Sequence, residues 1–193
     1  MQRIIIGISG ASGSIYGIRL LEVLRDLPHL ETHLILSDAG RSVAELETEY
    51  TGAQIEALAD VVYRNDDLAA RISSGSFQTI GMVVAPCAIK SLSAIAHSHN
   101  DNLLTRAADV VLKERRRLVL VVRETPLHLG HLRLMVEATE CGAVILPPVP
   151  SFYHHPHTIA DLVDQTIGKV LDQFGIEHDL FRRWPGGECA GGE

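Results

Sequence analysis

Long apolar runs, paired cysteines and a surplus of basic residues are all missing from this sequence. No apolar run approaches the ~18 residues of a membrane-spanning helix. The opening run, residues 4–8, is also shorter than the ~7–15-residue core of a signal peptide, so the expected location is cytoplasmic. Cysteine is scarce: Cys87, Cys141 and Cys189 stand about 50 positions apart, odd in number and without metal-site spacing. That pattern excludes a disulfide framework and reads as reduced, mostly buried thiols. Seventeen Lys and Arg against 24 Asp and Glu give a formal charge of −7, a poor footprint for nucleic acid. No internal repeat, linker or low-complexity block divides the 193 residues, which suit one α/β domain with a substantial core. That domain is expected to span residues 1–184. Residues 185–193, with four glycines, are expected to fray.

What is present is an alternation of strand and helix signals, which argues for a parallel sheet covered on both faces. Strands are expected at 4–8, 32–36, 61–63, 80–85, 118–122 and 144–146. Helices are expected at 14–26, 39–47, 53–59, 65–72, 89–96, 102–114, 126–140 and 158–174.

The first strand breaks directly into a small-residue loop, Gly7-Ile8-Ser9-Gly10-Ala11-Ser12-Gly13. An amphipathic helix follows, with Ile15, Ile18, Leu21 and Leu24 on one stripe and Arg19, Glu22 and Arg25 off it. A strand, a Gly/Ser loop and a helix N-terminus together present backbone N–H groups at the positive end of a helix dipole. Hydroxyls at Ser9, Ser12 and Ser14 can add bonds to phosphate oxygens, so the segment suggests a phosphate-bearing cofactor. The glycine spacing is neither the G-x-G-x-x-G dinucleotide fingerprint nor a Walker loop, and a tight βα turn needs the same small residues merely to pack. Asp38, at the end of the second expected strand, keeps a nicotinamide reading open, because an acid there can bind a ribose.

Ligands of such sheets bind beyond the carboxyl ends of the strands. Those ends carry Ser9 and Ser12, then Ser37, then Pro86-Cys87-Ala88-Ile89-Lys90-Ser91, then Arg123-Glu124-Thr125, then Ser151-Phe152-Tyr153. A purely structural sheet does not require this polarity at one rim. A second concentration is cationic. Arg106 and Lys113 are seven apart on one expected helix, hence on one face and ~10 Å apart along its axis. The surface between them is mostly apolar, which points to an anion or to a subunit-interface salt bridge. For Arg115, Arg116 and Arg117, solvated cations at a helix C-terminus are a sufficient account.

Together these blocks resemble the UbiX-type flavin prenyltransferases. The resemblance rests on Gly10-Ala11-Ser12-Gly13, Tyr16-Gly17, Ser74-Gly75-Ser76, Pro86-Cys87 and Arg106-Ala107-Ala108-Asp109. It continues through Leu112-Lys113-Glu114-Arg115-Arg116, Arg123-Glu124-x-Pro126 and Gly142-Ala143-x-Ile145-x-Pro147 to Phe152-Tyr153-His154, and so runs from residue 3 to Trp184. It implies a Rossmann-like three-layer fold with sheet order 3-2-1-4-5-6, assembled as a homododecamer with sites between subunits. It also implies a reaction: reduced FMN is joined to the dimethylallyl group of dimethylallyl monophosphate at N5 and then C6. The product, prenylated FMN, passes to a UbiD-type decarboxylase, in ubiquinone biosynthesis or in aromatic acid breakdown. No Asp-Asp-x-x-Asp run is present to hold magnesium on a diphosphate, and the family works without metal.

The resemblance assigns residues as well. The flavin would lie against Gly10, Ala11, Ser12, Ser37, Ala88, Ile89, Lys90, Ser91 and Arg123. The prenyl phosphate would be held by Ser74, Arg106, Lys113, Tyr153 and Lys169, some from a neighbouring subunit, with Trp184 walling the allyl group. Glu124 is the candidate for proton handling near the phosphate, and Glu47 and Ser12 for proton transfer during ring closure. Two positions depart from the pattern: Ala88 replaces a usual hydroxyl and Lys169 a usual arginine, which loses the bidentate fork.

Plainer readings stand beside these. Glu124 can pair with Arg123, Tyr153 and Trp184 can be core or interface aromatics, and Glu47 can be a solvated helix residue. Cys87 reads as a small buried hydrophobe. His128/His131 and His154-His155-x-His157 look metal-like but have no carboxylate partner in sequence. Two other functions remain open: an FMN-dependent decarboxylase of an aromatic or cysteinyl substrate, and a non-enzymatic FMN carrier.

Overall fold

The computed structural model describes residues 1–184 and 186; Pro185 and residues 187–193, where the expected frayed tail and Cys189 fall, lie outside it. Six strands form one parallel sheet: β1 (Gln2–Ile8), β2 (Leu30–Leu36), β3 (Val61–Tyr63), β4 (Gly81–Cys87), β5 (Arg117–Val122) and β6 (Val144–Ile145). Their order is β3-β2-β1-β4-β5-β6, with every neighbouring pair parallel. Among the described residues, seven helices flank it: α1 (Ser14–Arg25), α2 (Asp38–Glu47), α3 (Gly52–Glu56), α4 (Ile89–Ala96), α5 (Leu103–Lys113), α6 (Leu129–Glu140) and α7 (Ile159–Asp172).

Strand periodicity sorts the core into two layers. Ile4, Ile6, Ile8, Val83, Ala85, Val119 and Val121 pack with residues of α1 and α7. Their alternates Ile5, Met82, Val84, Leu118, Leu120 and Val122 pack with α4, α5 and α6. Continuous apolar strands are what a sheet buried on both faces requires. Gly17 serves that packing, since a Cβ there would run into the Ala85 carbonyl of β4. None of the helices is long and apolar enough to cross a membrane, among the described residues.

The helix expected at 65–72 does not form. Only a 3₁₀ turn, Arg71–Ser73, occurs there. Short polar side chains redirect the backbone: Asp67 Oδ1 accepts from Ala69 N, and Asn65 is committed to the start of α5. Asn65 O accepts from Leu103 N at 2.7 Å and Asn65 Oδ1 from Leu104 N at 3.1 Å. The expectation of mostly buried thiols also needs correction. Cys87 is buried, but Cys141 is the exposed C-cap of α6.

Candidate functional site

β1 and β4 are neighbours whose following connections leave in opposite directions, which opens a crevice at their carboxyl ends. Ser9 closes its floor. Its hydroxyl donates to Pro86 O and accepts from Ala88 N, each at 2.8 Å, and so ties the loop after β1 to the loop after β4. This hydroxyl is therefore engaged within the protein. Ser14 is likewise buried.

The N-terminus of α1 is not free either. Glu47, at the end of α2, accepts from Gly13 N at 2.8 Å and from Ser14 N at 3.4 Å. A carboxylate of the chain occupies the place where the sequence suggested a ligand phosphate. Burial opposes ionisation of Glu47. Bonds from Ser12, Gly13 and Ser14, with the charge of Arg123, outweigh it and hold the carboxyl below its ordinary value. Gly13 makes the turn at φ 96°, with Tyr16 packed over it and Arg123 Cγ near it. Burial raises the Tyr16 phenol above its ordinary value, against the opposing charge of Arg123.

The main cavity, about 790 Å³, opens beside this loop. Its volume lies in the ~300–1,000 Å³ range of small-molecule and cofactor sites. Gly10, Ser37, Ala88, Lys90 and Ser91 line it, all five expected from the sequence. Asn65, His97, His99, Asp101, Asn102 and Thr105 line it too and were not expected. Thr105 stands in the first turn of α5, and the others belong to the α4–α5 connection and to the turn that replaces the missing helix, so only the tertiary fold brings them in. Ala11 and Ser12 continue the loop beyond Gly10, half-buried Ile89 follows Ala88, and Arg123 stands on the Gly13 side.

Three helix N-termini border the cavity. Ser37 Oγ caps α2 by accepting from Gly40 N at 3.0 Å, and Asn102 Oδ1 caps α5 through Thr105 N at 3.0 Å. α4 differs, because its N-cap is Ala88 and no side chain caps it. The amides of its first turn are left for a ligand at the positive end of the dipole. Hydroxyls, an uncapped helix start and Lys90 suit an anionic group carrying a polar chain, as in FMN. Asp38 also lines the cavity, at the first turn of α2.

The expected phosphate holders fall into two groups on opposite layers. In the first, Arg106 Nε donates to Ser73 O at 3.2 Å, and Arg106 also pairs with Asp109 at 3.1 Å. Lys113 pairs with Glu114, and both lie against Gly75. The structure thus gathers Ser74, Arg106 and Lys113 along the outer side of α5. Arg116 overturns the reading of a solvated triplet: it is half-buried and donates to Phe77 O at 2.6 Å and Gly75 O at 2.8 Å.

The second group accompanies α7. Tyr153 and Trp184 meet edge to face with ring centroids 5.9 Å apart, and both are exposed. Lys169 and Arg183 share Asp172 as a partner, at 3.4 and 2.7 Å. Glu124 is exposed, and its carboxylate accepts from Thr125 N at 3.0 Å rather than from Arg123. His128 Nδ1 caps α6 by accepting from Gly130 N, and its ring lies tilted against that of His131, with centroids 3.6 Å apart. Its role is thereby accounted for by the helix.

Residues 1–171 match the model of the Flavoprotein family. The chain is 63% identical over 188 residues to the flavin prenyltransferase UbiX of Escherichia coli (strain K12), covering 96% of this chain and 100% of that one. It superposes at a TM-score of 0.94 on the crystal structure of AnUbiX in complex with FMN and dimethylallyl pyrophosphate, with 49% identity and 97% and 99% of the two chains covered. A dodecameric FMN-dependent Ubix-like decarboxylase from Escherichia coli O157:H7 also gives a TM-score of 0.94, at 48% identity over 96% and 100% of the chains.

Proposed function

The chain belongs to the flavoprotein family, among its UbiX-type flavin prenyltransferases, and on that premise we propose how its own residues carry the prenyl transfer from dimethylallyl monophosphate to FMN. The observation that carries the proposal is the cavity at the β1/β4 crevice, bordered by hydroxyls, Lys90 and the uncapped start of α4. Reduced FMN, when bound there, supplies the nucleophilic N5 and C6 atoms. Gly10, Ala11 and Ser12 line its entry loop, Ser37 and residues 88–91 take its polar chain and phosphate, and Arg123 fixes its far side.

Departure of phosphate from an allylic carbon leaves an anion and a developing cation. Ser74, Arg106 and Lys113 offer fixed donors and positive charge to the anion, which replaces the divalent ion that a diphosphate substrate would need. Trp184 forms an apolar wall that keeps water from the cation, while the Tyr153 hydroxyl and Lys169 add a donor and a further charge for the phosphate. Glu124, exposed at the rim beside Arg123, holds or moves a proton on the departing phosphate oxygen. Glu47, held ionised against Ser12, is a proton acceptor rather than a donor at that rim.

Thr105 borders the cavity while Lys113 lies eight residues further along α5, ~12 Å away by helical rise. That offset, with Tyr153 on the other layer, supports a site completed by neighbouring subunits in a homo-oligomer, dodecameric by the likeness. Residues 1–184 form the catalytic domain. The product is destined for a UbiD-type decarboxylase, with both proteins in the cytoplasm.

Incubation with FMN, a reductant and dimethylallyl monophosphate, followed by mass spectrometry of the flavin, tests the proposal. A mass gain of one dimethylallyl group is expected. A decarboxylase or a passive FMN carrier would return the flavin unchanged.

A further inference from the structure

The segment 73–77 carries Ser74 but contains neither helix nor strand beyond the end of a 3₁₀ turn, so something else must give it a fixed shape. Its carbonyls at Ser73, Gly75 and Phe77 all turn toward α5 and the residues that follow it. Arg106 Nε binds the first, and the two terminal nitrogens of Arg116 bind the second and third. Arg115 makes this possible by ending α5 at φ 57°, with Arg115 N bonded to Leu112 O and Arg116 N to Val111 O. That turn aims the next side chain back along the segment. The Phe77 ring is fastened as well, beneath Arg3 at 5.0 Å and edge-on to His33 at 5.1 Å.

On the other side of the segment the Ser74 and Ser76 hydroxyls lie 3.0 Å apart. Between them, Gly75 has no side chain, and a Cβ there would collide with the Glu114 carboxylate and lie 2.7 Å from Lys113 Nζ. The carbonyl that Arg116 holds is thus the one beside which Lys113 rests.

We propose that Arg116 is a positioning residue for prenyl transfer: its planar fork across the Gly75 and Phe77 carbonyls sets Ser74 and Lys113 into one anion site. It acts through the backbone of the segment it holds. A lysine at this position keeps the charge but loses the planar fork that spans both carbonyls, so the requirement is for the fork and not for the charge. The inference rests on the reading that Ser74 and Lys113 hold the prenyl phosphate.

Three variants test it: Arg116→Ala, Arg116→Lys and, from the segment's side, Gly75→Ala. Arg116→Ala is expected to raise the half-saturating dimethylallyl monophosphate concentration by about tenfold to a hundredfold, the scale at which small misplacements act. FMN affinity should be unchanged. Amide exchange should quicken across residues 74–77, millimolar guanidinium should restore part of the substrate affinity, and Arg116→Lys should recover little. If Arg116→Ala does not fold, Gly75→Ala is expected to show the same split between substrate and FMN. Inorganic phosphate, titrated by calorimetry, is the probe that needs no turnover. Weaker phosphate binding by the variants supports the positioning role even where the wild type transfers no prenyl group, an outcome that would overturn the reaction instead. Unchanged phosphate and substrate affinity beside faster exchange in the segment would reduce Arg116 to a structural brace and overturn the inference.

Discussion

Glu47 accepts hydrogen bonds from Gly13 and Ser14, whereas Glu124 is exposed and accepts one from its neighbour Thr125. The first is a cap for α1 held in its charged form; the second keeps its carboxylate available at the rim. Glu124→Gln is therefore expected to slow single-turnover formation of prenylated flavin by ~100- to 10,000-fold, the usual contribution of a general acid or base. FMN binding should survive, because no expected flavin contact is lost. A variant that reacts at the wild-type single-turnover rate would make Glu124 a structural residue. Cysteine gives a contrast on the same scale. Burial pushes the Cys87 thiol up to about 12, while Cys141 is exposed. Alkylation of the folded protein near pH 8, mapped by peptide mass, should label Cys141 and spare Cys87.

At the scale of the element, α4 and α7 are held in opposite ways. α7 begins with a capping box, in which Thr158 Oγ accepts from Asp161 N and Asp161 bonds back to Thr158 N. α4 begins at Ala88 with no side-chain cap, although the extended backbone there (φ −71°, ψ 153°) is that of an N-cap. Ala88→Ser should supply the missing bond, worth about 1 kcal/mol, and raise the melting temperature of flavin-free protein by ~2–4 °C. No rise would mean that the first-turn amides are already satisfied. Near its other end α7 carries Asp172. Its bond from Arg183, followed by bonds from His178 and Lys169 and opposed by burial, lowers its pKa from 3.8 to about 2. A lowered folded-state value stabilises above the unfolded value and is lost as pH falls through the folded one. Asp172→Asn should thus cost about 1–2 kcal/mol at neutral pH, discounted for the side chain's partial exposure. In denaturant titrations the difference from wild type should narrow between pH 4 and pH 2.

The elements themselves were legible in the sequence because strand and helix periods differ. Ile4, Ile6 and Ile8 alternate with Ile5 and Gly7, and the ends of β1 to β5 are marked by a change from apolar to small or polar residues. The run at 65–72 misled for a physical reason. Its periodic apolar residues suit a helix, but Asn65 and Asp67 hydrogen-bond the backbone locally and the α5 start takes Asn65 altogether. The cavity was half legible. Ser37 and residues 88–91 follow strands and announce themselves, whereas His97, His99 and Asn102 sit in a connection whose place over the crevice depends on how α5 packs. Arg116 was read as solvent-facing because a helix C-terminus explains a cation without any partner. Only the αL turn at Arg115 shows where its side chain goes.

For the whole molecule the sheet acts as a partition. α5, with Arg106 and Lys113, packs on the layer of Ile5 and Val84; α7, with Lys169, packs on the layer of Ile6 and Val83. Tyr153 follows α7, because Trp184 stands against it and Arg183 is bound to Asp172. The outer side of α5 and the segment around α7 lie on opposite layers of the sheet, which favours the proposed site being shared between different chains. Rings of identical subunits supply this juxtaposition without further parts, since a heterologous contact brings one face of a chain to another face of its neighbour. The consequence is complementation between defective chains. Lys113→Ala and Tyr153→Phe should each be poorly active alone. Co-assembled in equal amounts, they should regain activity at about a quarter of the sites, those that draw each residue from an intact donor. Mixed assemblies purified through two different tags and assayed for prenylated flavin would show this directly. Mixed assemblies no more active than either parent would place both residues in one chain's site, and the partition drawn by the sheet would then not govern how the reaction centre is built.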